Sequence, residues 1–262
     1  MKIAVVGCGH MGSWLAGELT GAHEVAGVDV DPARVEATPR VALIRGIDDL
    51  AAFEPQLVVN AVPLRQTIEV FRKLDAVLPP DVMLGDVASI KGDLPDFYRQ
   101  SERPFVSAHP MFGPTFANIE SLSQESAVII RESDPTGAAL FRGLFEARGL
   151  SIFEYSFDEH DRMMAYSLTL PFVSTMVFGA CMDDKAVPGT TFRKHREIAH
   201  GLMAEDDYLL AEILFNPHSM EQIERVTSRL EFLKHVIRAR DSEEAIVFFD
   251  RLRANLFPAD PD

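Results

Sequence analysis

The first thirty residues constrain the fold more than any other stretch of the chain. Lys2-Ile3-Ala4-Val5-Val6 is a short apolar run that feeds directly into Gly7-Cys8-Gly9-His10-Met11-Gly12. Ser13 to Leu19 then repeats its apolar residues at helical spacing, and a second apolar run, Glu24-Val25-Ala26-Gly27-Val28, ends at Asp29. Strand, glycine turn, helix, strand and acid, in that order, make the dinucleotide-binding pattern. The first glycine makes the tight turn, the second lets backbone approach a diphosphate, and the third lets the helix pack on the strand. The diphosphate is expected at the helix N-terminus, where unpaired N–H groups and the dipole favour negative charge. Gly7, Gly9, His10, Met11 and Gly12 are therefore candidate cofactor ligands. Asp29 follows Gly12 by 17 residues, near the spacing of about 20 at which an acid holds the ribose hydroxyls. That carboxylate would repel the extra phosphate of NADP, and Val30, Asp31 and Pro32 put no Arg beside it. NAD is the expected cofactor. A glycine-rich turn in some other α/β protein is the competing reading, and the flanking strand, helix and acid weigh against it.

The chain continues as alternating apolar runs and helical patterns. Asp31-Pro32-Ala33-Arg34 opens a short helix, and residues 41–55 form a weaker strand–helix pair. Gln56 to Val62 is a continuous apolar run, as a buried parallel strand should be, and it ends at Pro63. Loops at strand C-termini face the cofactor in such sheets, which makes Val62 and Pro63 further candidate ligands. Helical spacing over 64–78, strands at 81–86, 105–108 and 126–131, a helix at 136–148 and a strand at 150–153 complete a doubly wound parallel sheet. Beyond about residue 155 the texture changes. Residues 157–183, 192–215, 217–240 and 242–256 read as helices, with N-cap signals at Asn216–Ser219 and Asp241–Glu244. The expected architecture is a Rossmann-type NAD-binding domain over 1–154 and a helical substrate-binding and dimerisation domain over 155–262. The apolar helix at 163–182 carries more hydrophobic surface than a small domain easily buries, so a homodimer is expected. The polar tail from Pro258 is expected to fray.

The formal charge of −15 argues against nucleic acid and anionic membrane surfaces as partners, because phosphate binding needs clustered cations. Cys8, one of two cysteines, lies inside the glycine turn, so a structural disulfide is not expected and a reducing cytoplasm fits. The N-terminus goes straight into the first strand, so no signal peptide is expected. No apolar run is expected to reach the roughly 18 uncharged residues of a membrane span. No Cys/His/Asp cluster has zinc spacing, so no metal site is expected.

Two segments carry polar residues at the ends of buried strands: Asp86-Val87-Ala88-Ser89-Ile90-Lys91 and His109-Pro110-Met111-Phe112-Gly113-Pro114. Together with the glycine motif, Ala61-Val62-Pro63 and Glu159-His160-Asp161-Arg162-Met163-Met164-Ala165, they resemble the prephenate/arogenate dehydrogenase family of tyrosine biosynthesis. The pattern around Arg193 to Ala199 and Leu210 to Pro217 resembles that family's helical domain. The resemblance implies an NAD(P)-dependent oxidative decarboxylation. Hydride leaves the ring carbon bearing the hydroxyl for the nicotinamide, the ring carboxylate leaves as carbon dioxide, and aromatisation drives the step.

Such chemistry needs a proton acceptor, cations for two carboxylates and a fixed distance to the nicotinamide. His109 occupies the family's His-Pro-Met position, and a neutral imidazole with a pKa near 6.5 can take a hydroxyl proton. A His that merely caps a strand end is the plainer alternative. Ser89 is expected to orient His109 or the substrate hydroxyl, or to cap a helix beginning near Ile90. Lys91 is expected to face solvent or the cofactor phosphate. The family uses an Arg near 192–196, and Arg193 and Arg196 are three apart and share a helix face. A solvated basic turn paired with Glu197 or Glu205 is the alternative there. His160 is expected to be structural.

One departure concerns the substrate. Where many members carry Ser-His-Leu-Pro-His, this chain has Leu168-Thr169-Leu170-Pro171-Phe172. Thr169 can still bind substrate through its hydroxyl, whereas Phe172 cannot. Prephenate, arogenate and an amino-substituted prephenate all stay open. A hydroxyacid-type reductase would need a Lys early in the second domain, and none stands between Lys91 and Lys185. A non-catalytic NAD-binding protein would need neither Ser89 nor His109.

Overall fold

The computed structural model describes residues 1–112, 122–183 and 187–257. Gly113, Pro114 and the tail from Pro258, which carried expectations above, lie outside the described residues. Among the described residues, eight strands and twelve α-helices follow in chain order. The first half runs β1 (Lys2–Val6), α1 (His10–Leu19), β2 (Glu24–Val28), α2 (Pro32–Glu36), β3 (Ala42–Leu43), α3 (Leu50–Phe53), β4 (Leu57–Asn60), α4 (Thr67–Val77), β5 (Met83–Asp86), α5 (Leu94–Ser101) and β6 (Phe105–Pro110). It continues with β7 (Ser126–Ile130), α6 (Pro135–Ala147), β8 (Ser151–Tyr155) and α7 (Phe157–Met164). The remaining helices are α8 (Leu170–Ala180), α9 (Thr190–Leu202), α10 (Asp207–Leu214), α11 (Ser219–Ala239) and α12 (Ser242–Leu256).

The strands form one sheet in the order β3-β2-β1-β4-β5-β6-β7-β8. Every pairing is parallel except β6 with β7. The order reverses between β1 and β4, which opens a crevice at the carboxyl ends of those strands where doubly wound sheets bind ligands. The central strands are apolar on both faces because helices cover both: β1 and β4 each contribute residues to two buried clusters. One cluster joins Ile3, Leu15, Leu57 and Phe145, and the other joins Ala4, Val58, Phe71 and Leu84. This is the Rossmann-type sheet that the apolar runs imply.

Contacts divide the chain into two compact units. The first comprises Met1–Met164 and Glu205–Asn216; the second comprises Ala165–Ala204 and the residues from Pro217 onward. Where sequence texture sets a boundary at 154/155, the contacts therefore keep α7 and α10 with the sheet. The helix expected over 192–215 is two helices, because Asp206 turns its carboxylate onto the N–H groups of Tyr208 and Leu209 and starts α10 afresh.

The second unit is helical. α7 runs into α8 through a π-helical turn, Ala165–Thr169. The resulting helix, Phe157–Ala180, has an 18-residue window of mean hydropathy 1.4, of which 17% is buried. By length and composition it is long and apolar enough to cross a membrane, so the expectation that no such stretch exists is corrected. Residues 163–182 carry no charged side chain. α12 starts where expected, with the Asp241 carboxylate accepting the Glu244 N–H.

Candidate active site

The glycine turn divides three kinds of space among its three glycines. Gly7 has φ +90°, and a Cβ there would lie 2.7 Å from the Val62 nitrogen and 2.8 Å from the Ala61 carbonyl. Only glycine meets both the dihedral and the close approach of the β4 loop. A Cβ on Gly12 would run into the Gly7 carbonyl oxygen, so α1 packs against the turn through bare backbone. Gly9 is open: a Cβ there would meet only an Arg34 guanidinium nitrogen, at 4.0 Å. That open side, at the N-cap of α1, suits an approaching diphosphate. His10 opens α1 and is exposed.

Asp29 is held at the end of β2, accepting the Cys8 N–H at 2.7 Å and the Asp31 N–H at 2.9 Å. The Cys8 thiol beside it is pushed up to about 11 by burial and by the Asp29 charge, which makes it an unreactive thiol. The first turn of α2 brings Arg34 back toward the glycine turn, with its Nε 3.7 Å from Asp31. Arg34 thus stands at the open side of Gly9, paired with Asp31.

The loops after β4 and β5 enclose a cavity of about 150 Å³ lined by Met11, Asn60, Ala61, Val62 and Ser89, among others. Three of the expected residues, Met11, Val62 and Ser89, thus meet in one crevice, and exposed Pro63 follows on the same loop. Asn60 staples the β4 loop, donating to the Thr67 carbonyl at 2.9 Å and accepting the Val62 N–H at 3.3 Å. Ser89 caps no helix, because α5 starts only at Leu94.

The intervening loop turns inward instead. Lys91 is 1% exposed, and its ammonium donates to Asp86 and to the Ala108 carbonyl, each at 2.8 Å. The other Asp86 oxygen accepts the Tyr98 hydroxyl at 2.7 Å. Burial draws the Lys91 pKa down against the opposing pull of Asp86. Lys91 thus faces neither solvent nor phosphate. The missed signal is Asp86 itself, since a carboxylate ending a buried strand needs a cation.

His109 lies within β6, opposite Val128 of β7, and is 6% exposed. Its Nδ1 is 3.0 Å from Nε2 of His160, and the Nδ1 of His160 is 3.2 Å from Asp161. His160 is fully buried. Burial, then His160 and Lys91, hold the His109 pKa well below 6.5. Burial also lowers that of His160, against the hydrogen bond it donates to Asp161. Both imidazoles are therefore neutral near pH 7, a form in which an imidazole is able to take up a proton. Among the described residues the hydrogen-bond partner of His109 is His160, not Ser89 as one expectation had it.

The other expected residues belong to the second unit. Thr169 is fully buried, with its hydroxyl 2.9 Å from that of Ser219; it ties the π-helical turn to α11. Arg193 and Arg196 are both exposed on α9. Arg193 donates to Thr190 at 3.4 Å. Arg196 lines an apolar groove of about 570 Å³ with Met176, Ala180, His200 and Met203, among others; Arg193 is not in its lining.

Residues 16–146 match the family model described as prephenate dehydrogenase, nucleotide-binding domain. The chain belongs to the prephenate dehydrogenase family. It is 25% identical over 203 residues to the T-protein of Haemophilus influenzae, covering 74% of this chain and 50% of that protein. It is 22% identical to a probable arogenate/prephenate dehydrogenase of Methanocaldococcus jannaschii, covering 74% of this chain and 46% of that one. The chain spans about half the length of these curated relatives. Its fold matches the prephenate dehydrogenase of A. aeolicus, solved with hydroxyphenyl propionate and NAD+, with a TM-score of 0.82 at 20% identity over 97% of this chain and 96% of that one. It also matches Synechocystis arogenate dehydrogenase with a TM-score of 0.78 at 21% identity over 97% and 98%.

Proposed function

We propose that the chain is an NAD-dependent dehydrogenase that oxidatively decarboxylates prephenate to 4-hydroxyphenylpyruvate. His109 carries the reading: a buried, neutral imidazole at the carboxyl end of a Rossmann-type sheet, in a chain of this family. When bound, NAD supplies the hydride acceptor. Gly7, Gly9, His10, Met11, Gly12, Asp29, Val62, Pro63 and Ser89 would hold it, and the open side of Gly9 fits its diphosphate. Asp29 favours NAD over NADP, while Arg34 lessens the local negative charge.

His109 takes the proton of the ring hydroxyl as the carbon beneath it is oxidised. Ser89 donates to substrate or cofactor from the crevice. Arg193 or Arg196 holds a substrate carboxylate, for which a forked guanidinium suits better than an ammonium. Thr169 acts by fixing the helix that carries the family's substrate segment. The second unit also makes a homodimer, since its helices bury little against one another, and a reducing cytoplasm suits the free thiols of Cys8 and Cys181. Arogenate, or an amino-substituted prephenate, is the second reading, favoured by the loss of pocket histidines at 169 and 172.

NAD reduction followed at the nicotinamide absorbance, with prephenate and arogenate side by side, tests the proposal. Prephenate is expected to lead by about tenfold or more in kcat/KM, or ~1.4 kcal/mol of transition-state discrimination. A lead for arogenate would replace the substrate. Cofactor binding with turnover of neither would leave a non-catalytic NAD-binding protein.

A further inference from the structure

We infer that His160 and Asp161 fix the tautomer of His109, so that its Nε2 is a bare lone pair ready for the hydroxyl proton. The inference rests on His109 being the base, as proposed above. It follows from counting donors along the chain of contacts. A carboxylate only accepts, so at 3.2 Å from Asp161 the Nδ1 of His160 must carry a proton. A neutral imidazole has one N–H, which leaves Nε2 of His160 as an acceptor. That acceptor is 3.0 Å from Nδ1 of His109, so the single proton of His109 sits on Nδ1 and Nε2 is unprotonated. A neutral imidazole free in water favours the opposite form.

His160 is buried too deeply to be a solvent-facing helix residue, and a buried ring keeps one orientation only if both nitrogens are partnered. The other charges facing the pair are Lys91 and, behind it, Asp86, itself bonded to Tyr98. Lys91 opposes a second proton on either ring, and Asp161 on α7 is the group that stabilises one once it arrives. In the step itself the hydroxyl O–H bond breaks and an N–H bond forms at Nε2, while the Nδ1 proton stays in place and no electrons move through the histidines. His160 and Asp161 are therefore positioning residues, and His109 is the catalytic one. Their adjacency in sequence hid this, because His160 meets its partner 51 residues away.

The test is ¹⁵N spectroscopy of the histidine rings at neutral pH in the full chain, with His109 assigned through His109→Asn, alongside steady-state kinetics. The wild type is expected to show His109 protonated at Nδ1 and bare at Nε2. His160→Gln, whose amide oxygen can accept the same bond, is expected to keep that form and much of the rate. His160→Leu is expected to revert to the Nε2–H form and to lose ~10²–10⁴-fold in kcat, with KM little changed. An Nε2–H form of His109 in the wild type would overturn the inference, even if His160→Leu does not fold. So would a His160→Leu protein with unchanged tautomer and kcat. A wild type with the expected tautomer but no turnover of either ring acid would instead overturn the functional reading and leave the tautomer assignment standing.

Discussion

The two units use hydrophobic sequence in opposite ways. In the first, apolar runs end inside: Ile3, Leu15, Leu57, Phe71 and Phe145 expose no surface, because each face of the sheet is covered by its own helices. In the second, the helices leave Val177, Ile198, Ile237, Ile246 and Leu256 exposed by 46–72%. Its buried hydrophobic residues, among those described, are Ala165, Ala199 and Val236. The sheet closes its core because helices cover both of its faces, whereas the helices of the second unit leave much of their apolar surface open. The proposed proton chemistry follows the same division, since His109, His160 and Lys91 sit in the closed unit where burial can shift a pKa. The exposed guanidinium groups of Arg193 and Arg196 sit in the open one.

Substitutions that strike closed packing should therefore cost most. Gly12→Ala drives a Cβ into the Gly7 carbonyl and is expected to cost about 4–5 kcal/mol, measured by urea unfolding, with loss of NAD binding in titration. Lys91→Met leaves the buried carboxylate of Asp86 without its cation and is expected to cost about 3–5 kcal/mol in the same assay. The open unit should respond through assembly instead. Val177→Asp, at a position 46% exposed, is expected to forfeit about 1.5–3 kcal/mol of interface burial and to shift sedimentation toward monomer. Val30→Asp, fully exposed in the first unit, should change stability by less than about 0.5 kcal/mol and leave sedimentation alone. Equal behaviour of the two aspartates would erase the distinction between the units.

A more gradual effect is one of pH. The pKa values of His109 and His160 are both lowered on folding, so the unfolded chain binds protons first as pH falls. Stability should be undiminished above pH ~6.5 and decline below it, by up to about 1.4 kcal/mol per pH unit for each histidine. Urea midpoints across pH 5–8 measure this, and His109→Asn should remove part of the slope.

How much of this is legible in sequence depends on distance along the chain. The turn from Gly7 to Gly12, the α2 cap at Asp31 and the α12 cap at Asp241 are set by neighbours within a few residues, and they stand where spacing puts them. The break before α10 is also local, an Asp206 cap on Tyr208 and Leu209, but Met203-Ala204-Glu205 holds no Gly or Pro to announce it. Lys91 reads as an exposed cation until Asp86 and Ala108 are seen around it. His160 reads as structural until His109 is found beside it. His109 and Lys91 each needed a partner from a distant element, His160 and the Ala108 carbonyl, whereas the Ser89 cap failed because α5 starts only at Leu94, later than spacing suggests.

The most direct measurement compares wild type with His109→Ala in NAD reduction driven by prephenate, with NAD affinity measured in parallel. The expected result is wild-type turnover that falls ~10²–10⁴-fold in kcat on substitution, with NAD binding unchanged. A His109→Ala protein that binds NAD and turns prephenate over at the wild-type rate would contradict the assignment of His109 as the base.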